Sequence, residues 1–296
     1  MRAFAVLLVL FVFAACQSGP DGEPLQTARA AYAASPDRTT AAALIAALDA
    51  YLAGSEDAAT NANLLNEKAA VHLDQNQFAE ATETLTRALA DYPRAEDAPN
   101  NALLLADVYE HRLRNATGAA SVKQAFVDAF PDHPKTAEWR AQFANNPDLP
   151  TKVQVLTREL YADTTGRIDY RMANELVQSA EIYALLLPEA DDAPELLYQA
   201  GQIAGSVRAS NKTIELNRRV YERYPDHPRA SRALFLTAFA YDNDLNDHAA
   251  ARPLYEQFLE RYPDDEFAES ARFQLRNLGK SADEIIKEFE AQQSVQ

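Results

Sequence analysis

The sequence predicts an all-α fold of tandem helix pairs, and three regularities carry that prediction. Aromatic-Pro or Leu-Pro marks fall at Pro93, Pro131, Pro188, Pro225 and Pro263, at intervals of 38, 57, 37 and 38 residues. A second order of repetition groups the marks: Pro93 and Pro188 each precede an Asp-Ala-Pro (Pro99, Pro194), while Pro131 and Pro225 each open a Pro-Asp-His-Pro (Pro134, Pro228). Between Tyr224-Pro225 and Tyr262-Pro263, the apolar residues form two helical clusters, Leu234 to Tyr241 and Leu254 to Leu259. A helix, a polar turn, a second helix and a proline exit make one unit. Such a unit cannot bury its apolar faces alone and needs neighbours of its own kind.

The chain begins differently. Arg2 precedes an apolar run, Ala3 to Ala15, too short to span a bilayer. It ends Phe13-Ala14-Ala15-Cys16 and is followed by Gln17-Ser18-Gly19-Pro20-Asp21-Gly22, a polar stretch of tether composition. This resembles the signal peptide (1–15) and lipobox of bacterial lipoproteins, with 16–24 as the flexible tether. The resemblance implies a diacylglyceryl group on the Cys16 thiol, cleavage before it and an acylated new amine. Phe13 stands where that family usually has Leu. More than one acyl chain would hold the protein stably at a membrane. Gln17, neither Asp nor basic, points to the outer membrane under the family's sorting rules. The other reading is an ordinary secretory signal closed by a small apolar residue. Cys16 is also the sole cysteine, so no intramolecular disulfide and no thiolate metal cluster can form.

The remaining elements come in order along the chain. Leu25 to Ala34 and Thr39 to Leu52 are alanine-rich helical segments separated by Ser35-Pro36-Asp37, and Gly54-Ser55 ends the second. Over 60–93, small residues stand at Ala69, Ala81 and Ala88, with large apolar ones at Leu65 and Leu85, and Pro93 closes the second helix. This stretch resembles the tetratricopeptide repeat, in which small residues mark the close crossing of two helices. His72 stands where that family usually places a bulky aromatic residue. The next repeat runs from Pro99 to Pro131, with Ala106 and Ala119 small and Phe126 near its end. Its counterpart places Gly201 seven residues after Pro194, and a glycine inside a helix points to a close helix–helix approach.

Residues 135–167 read as an irregular linker or insertion. Trp139 and Phe143 suggest a short helix, 145–150 a loop, and Lys152 to Tyr161 a further helix. Asp169 to Leu187 is a long amphipathic helix. Pro253 falls inside the apolar period of its repeat, so that helix is expected to start near Ala251 or to kink. Glu266 to Leu278 gives one more helix, closed by Gly279. Ser281-Ala282-Asp283-Glu284 then reads as a capping box for a final polar helix, Asp283 to Glu290, covering the end of the array. The expected organisation is an N-terminal array over 25–134, the insertion over 135–167, a C-terminal array over 168–279 and a terminal polar helix over 280–296. The resemblance implies a right-handed tetratricopeptide solenoid of about six helix pairs plus C-terminal capping helices.

Composition and motifs exclude several functions. A formal charge of −16 opposes nucleic-acid binding and charge-driven docking on anionic lipid. The five histidines (His72, His111, His133, His227 and His248) show no metal spacing, and no phosphate loop, serine elbow or zinc-protease string occurs. No catalytic residue, metal ligand or cofactor is therefore expected. Asn115-Ala-Thr and Asn211-Lys-Thr match the glycosylation pattern, and the resemblance to bacterial lipoproteins implies that the match is accidental.

The Tyr-Pro-Asp turns resemble those of envelope repeat proteins, among them the lipoprotein subunit of the outer-membrane barrel-assembly machine and a periplasmic partner of the Tol–Pal system. The resemblance implies a non-enzymatic scaffold or adaptor lipoprotein of the bacterial envelope. It would bind other envelope proteins through the concave face lined by the first helix of each pair. The alternatives are a periplasmic peptide or substrate receptor, a cell-wall or division coordinator, and an enzyme, which would require convergent titratable groups near 135–165.

Overall fold

The computed structural model describes residues 22–162, 168–281, 283–284 and 286–287. Residues 1–21, which include Cys16 and the lipobox, lie outside that range, as does half of the expected helix 283–290. Among the described residues there are fourteen α-helices and no strand. The chain divides into two compact units, one up to Thr84 and the other from Leu85.

The first unit contains α1 (Glu23–Ala34), α2 (Arg38–Gly54), α3 (Ala58–Asp74) and the start of α4 (Phe78–Asp91). Asp37 caps α2 by accepting from the Thr39 and Thr40 amides, with Thr40 Oγ1 returning the bond to the Asp37 amide. Leu25, Leu44, Leu48, Leu64 and Val71 make its core, with Tyr32 and Tyr51 packed against it. Arg29 pairs with Glu67 on α3 through two bonds of 2.8 and 2.6 Å.

In the second unit, α5 (Ala98–Asp107) packs on α6 (Ala116–Ala129), and α6 packs on α7 (Pro134–Gln142) and α9 (Tyr170–Leu186). Then α8 (Leu149–Ala162) packs on α9 and reaches α10 (Ala193–Ser206). From α9 onward each helix packs on the next, through α11 (Ser210–Arg223), α12 (Ala230–Phe239) and α13 (His248–Arg261) to α14 (Ala268–Asn277). This is an all-α array of helix pairs. Its core includes Phe126, Leu176, Leu196, Leu197, Tyr255 and Phe258, all under 3% exposed. Each such side chain contributes about 1.5–3 kcal/mol on burial.

The turn within each of four pairs is the same. Asn76, Arg114, Arg208 and Asn246 each take a left-handed conformation, with φ of 57, 53, 59 and 53°. The intervals of 38 residues differ from the interval of 37 by one feature. Where α5 and α12 end, a single π turn (Val108–Arg112 and Ala240–Asp244) absorbs one extra residue; the interval of 37, which holds α10 and α11, has none. A π turn lets a helix take in one inserted residue while the next helix keeps its place. Asn115 and Asp247 then cap the second helices by accepting from the amides of Gly118 and Ala250, while α11 starts at Ala209 with no side-chain cap.

The exits also repeat. Tyr224 Oη donates to the Pro188 carbonyl at 2.8 Å, and Tyr262 Oη donates to the Pro225 carbonyl at 3.4 Å. The last two Tyr-Pro marks are thus each tied to the exit proline before them. In both Pro-Asp-His-Pro turns the histidine Nδ1 accepts from a backbone amide two residues on, His133 from Lys135 and His227 from Arg229.

Three sequence expectations are corrected in detail. Residues 149 and 150 belong to α8, not to the loop, because Asp148 caps the helix by accepting from the Thr151 amide at 2.8 Å and leaves Pro150 in the first turn. The helix containing Pro253 starts at His248, and Pro253 sits inside it on the exposed side. The carbonyl it deprives of a partner, that of Ala249, lies on an exposed residue, where water can satisfy it. The last long helix starts at Ala268, two residues later than expected, after a turn in which the Phe267 amide donates to Asp265 Oδ1. Gly279 closes it with φ of +79°. The expected capping box is formed: Glu284 accepts from the Ser281 amide and Ser281 Oγ accepts from the Glu284 amide.

Candidate functional site

Three of the helices, α8, α10 and α12, share one face of the second unit, and a groove of about 260 Å³ runs along it. Thr157 and Tyr161 come from α8, Glu195, Tyr198, Gln199 and Gln202 from α10, and Arg229 and Arg232 from the start of α12. The helical period explains the grouping. Residues 195, 198, 199 and 202 are spaced three and four apart and lie on one stripe of α10, while 229 and 232 lie one turn apart.

The groove is polar at its centre and aromatic at its sides. Arg229 donates to both oxygens of Glu195, from Nε at 2.9 Å and from Nη2 at 3.4 Å, and its guanidinium lies 5.1 Å from the centroid of the Tyr198 ring. Gln199 Nε2 donates to Glu195 Oε1 at 3.2 Å. Burial pushes the Tyr198 phenol above its ordinary value, against the pull of the two arginines. Arg232 stacks its guanidinium 5.2 Å from the Phe267 centroid, and Phe267 in turn stacks on Phe235 at 4.9 Å. Arg232 Nε is buried without a hydrogen-bond acceptor. Tyr161, 67% exposed, stands at one end as a large ring with little to cover it.

A second cavity, of about 170 Å³, lies where α6, α7, α8 and α9 meet, lined by Asp128, Arg140, Asp148 and Tyr183 among others. Burial raises the Asp128 carboxyl, Arg140 opposes that rise and Asp148 adds to it. Asp148 is engaged as the cap of α8, and Tyr183 Oη donates to Asp192 Oδ1 at 2.7 Å. The space is small beside the roughly 300–1,000 Å³ typical of small-molecule pockets.

The histidines serve the framework. His72 Nδ1 bonds Gln77 Oε1, His248 Nδ1 bonds Asp242 Oδ1, and His133 and His227 cap turns. His111 lies near Asp107 and Glu110 on the surface. Among the described residues no group of three or more His, Cys, Asp or Glu is placed to hold a metal ion. No helix among them is long and apolar enough to cross a membrane. Cys16 lies outside the described residues. The groove residues themselves escaped the sequence reading. Their signal was the 34-residue separation of Glu195 and Arg229, nearly one repeat, which sets oppositely charged residues on alternate helices.

The tetratricopeptide repeat family model matches residues 232–265, which hold most of α12, its π turn and α13. No curated protein matches. Among solved structures, a chain described as the TPR2AB domain–pHSP90 complex of yeast Sti1 is similar at 14% identity, over 85% of this chain and 95% of that one, with a TM-score of 0.32. The matched hairpin shares its left-handed turn with three others in this chain, its side-chain cap with the α5–α6 hairpin and its tyrosine exit bond with the α10–α11 hairpin.

Proposed function

We propose that the chain is a non-enzymatic interaction scaffold of the bacterial envelope, tethered to the outer membrane through an acylated Cys16, and that it holds partner proteins on the face shared by α8, α10 and α12. The observation that carries this reading is the groove. On a chain of formal charge −16, two arginines, two tyrosines and two glutamines gather on alternate helices of a repeat array. The repeat match over 232–265 includes Arg232, so part of this face lies within the matched hairpin. Tyr161 is exposed and both arginines are partly so, and aromatic and arginine side chains are enriched in protein–protein contacts. A groove of about 260 Å³ accommodates side chains of a partner better than a free small molecule.

The lipid anchor rests on the apolar run ending at Cys16 and the polar stretch after it. An assembly adaptor for outer-membrane proteins fits the resemblance of the Tyr-Pro-Asp turns. The test is in-cell cross-linking of the tagged full-length chain with mass spectrometry of the products, and Cys16→Ser as the comparison. Recovery of outer-membrane assembly components that are lost in Cys16→Ser supports the anchored adaptor. Cell-wall or Tol–Pal proteins in their place would shift the assignment to wall or division coordination. Recovery of neither class, with the Cys16→Ser cross-links unchanged from those of the parent chain, would overturn the anchored scaffold.

A further inference from the structure

The groove contains the same motif twice, with one member missing the second time. In the first copy a guanidinium (Arg229) lies on an aromatic ring (Tyr198) and receives a carboxylate (Glu195) in its fork. In the second, one helical turn on, a guanidinium (Arg232) lies on an aromatic ring (Phe267) and no carboxylate of the described residues is within ion-pair distance of it. Its Nε is buried with no acceptor. A half-buried guanidinium without a counter-ion is costly, and a carboxylate brought within ion-pair distance of it supplies that counter-ion.

We infer that Arg232 is the docking point for an acidic side chain of the bound partner, and that Glu195 is the chain's own stand-in for a second such side chain on Arg229. The charge balance of the groove agrees. Its lining holds two guanidinium groups against one carboxylate, a local excess of one positive charge on a strongly acidic protein. An acidic segment therefore meets attraction at this face on a protein whose net charge repels it, which favours landing there. The Glu195 carboxylate also limits affinity. It must be displaced from Arg229 before a second acidic side chain can take that place.

This inference rests on the groove being the partner face. It is tested by fluorescence anisotropy with two labelled dodecapeptides, one of alternating glutamate and tyrosine and one with every glutamate replaced by glutamine. The full-length chain is compared with Arg232→Gln and Glu195→Gln, each checked for native helicity. The expected result is binding of the glutamate peptide at least about tenfold tighter than the glutamine peptide, in line with one charge-assisted contact. Arg232→Gln should abolish that preference, Glu195→Gln should strengthen it, and rising salt should weaken it. Equal binding of both peptides, an unchanged preference in Arg232→Gln or a weaker one in Glu195→Gln would overturn the inference. If both peptides bind equally and Tyr161→Ala releases both, the acid preference falls but the groove stands. If neither binds, the acid inference falls, and cross-linking from the groove decides the face independently.

Discussion

Replacing Gly201 by alanine sets two known effects against each other at one contact. In an exposed helix interior, glycine to alanine stabilises by about 1 kcal/mol. Here a Cβ on residue 201 would sit 2.8 Å from Asn217 Oδ1 and 3.3 Å from its Cγ. Asn217 is fully buried on α11, and neither its Oδ1 nor its Nδ2 has a partner, so the amide is confined by packing alone. Overpacking of this kind costs about 1–3 kcal/mol. The balance is a net loss of about 1 kcal/mol for Gly201→Ala. Asn217→Ala removes the obstructing amide together with two unsatisfied polar atoms, so the double variant should recover the helix-propensity gain. A double-mutant cycle by urea unfolding should therefore give a coupling energy of about 1–2 kcal/mol between the two sites. Stabilisation by Gly201→Ala alone, equal to the propensity term, would refute the close approach of α10 and α11.

The repeated turns and exits carry further expectations. Arg208→Asn should stabilise by about 0.5–1 kcal/mol, because Arg208 holds the left-handed conformation that Asn76 and Asn246 hold in equivalent turns. Ala209→Asn should add about 1 kcal/mol by capping α11, as Asn115 caps α6, read as a higher denaturation midpoint. Tyr224→Phe should cost about 0.5–1.5 kcal/mol by losing the 2.8 Å bond to the Pro188 carbonyl, and Tyr262→Phe less, its bond being 3.4 Å.

Two neighbouring carboxylates should respond to pH with opposite signs. Burial raises the Glu181 carboxyl despite Lys212 and Arg219, whereas Glu215, also opposed by burial, is held below the ordinary range by its bond and charge contact with Lys212 and by Arg219. A lowered folded pKa contributes stability above the unfolded value that is lost as pH falls through the folded one. Glu215→Gln should therefore destabilise at neutral pH and converge on the parent protein in acid. A raised folded pKa has the opposite sign: ionised Glu181 costs stability at neutral pH, and that cost vanishes as pH falls. Glu181→Gln should stabilise at neutral pH, with its advantage shrinking in acid, as thermal melts across pH would show.

The repeat was legible in the sequence because its signals are local and unambiguous. Proline exits cannot continue a helix, small residues at Ala69, Ala81, Ala88 and Ala106 mark crossings that are buried to within 2% exposure, and Gly201 meets Asn217 as its position implied. The π turns were hidden in a difference of one residue between intervals of 37 and 38, which spacing showed without saying where the extra residue goes. The region 135–167 looked irregular because a first helix, α7, stops after nine residues and α8 takes up the packing on α9, so no single period runs through it. The groove was illegible for a different reason. Glu195 and Arg229 are ordinary charges on separate helices until the array sets them side by side, and nothing in either helix alone distinguishes Arg232, which lacks a carboxylate, from the arginines that have one.

The central claim, that the face of α8, α10 and α12 receives the partner, is tested most directly by site-specific photo-cross-linking in living cells. A benzoylphenylalanine replaces Tyr161 or Gln202 in the groove, or Glu256, exposed on α13, on the full-length chain. The account predicts discrete protein adducts from positions 161 and 202, weakened by Arg232→Gln, and none from 256. Adducts from 256 with none from the groove would contradict it.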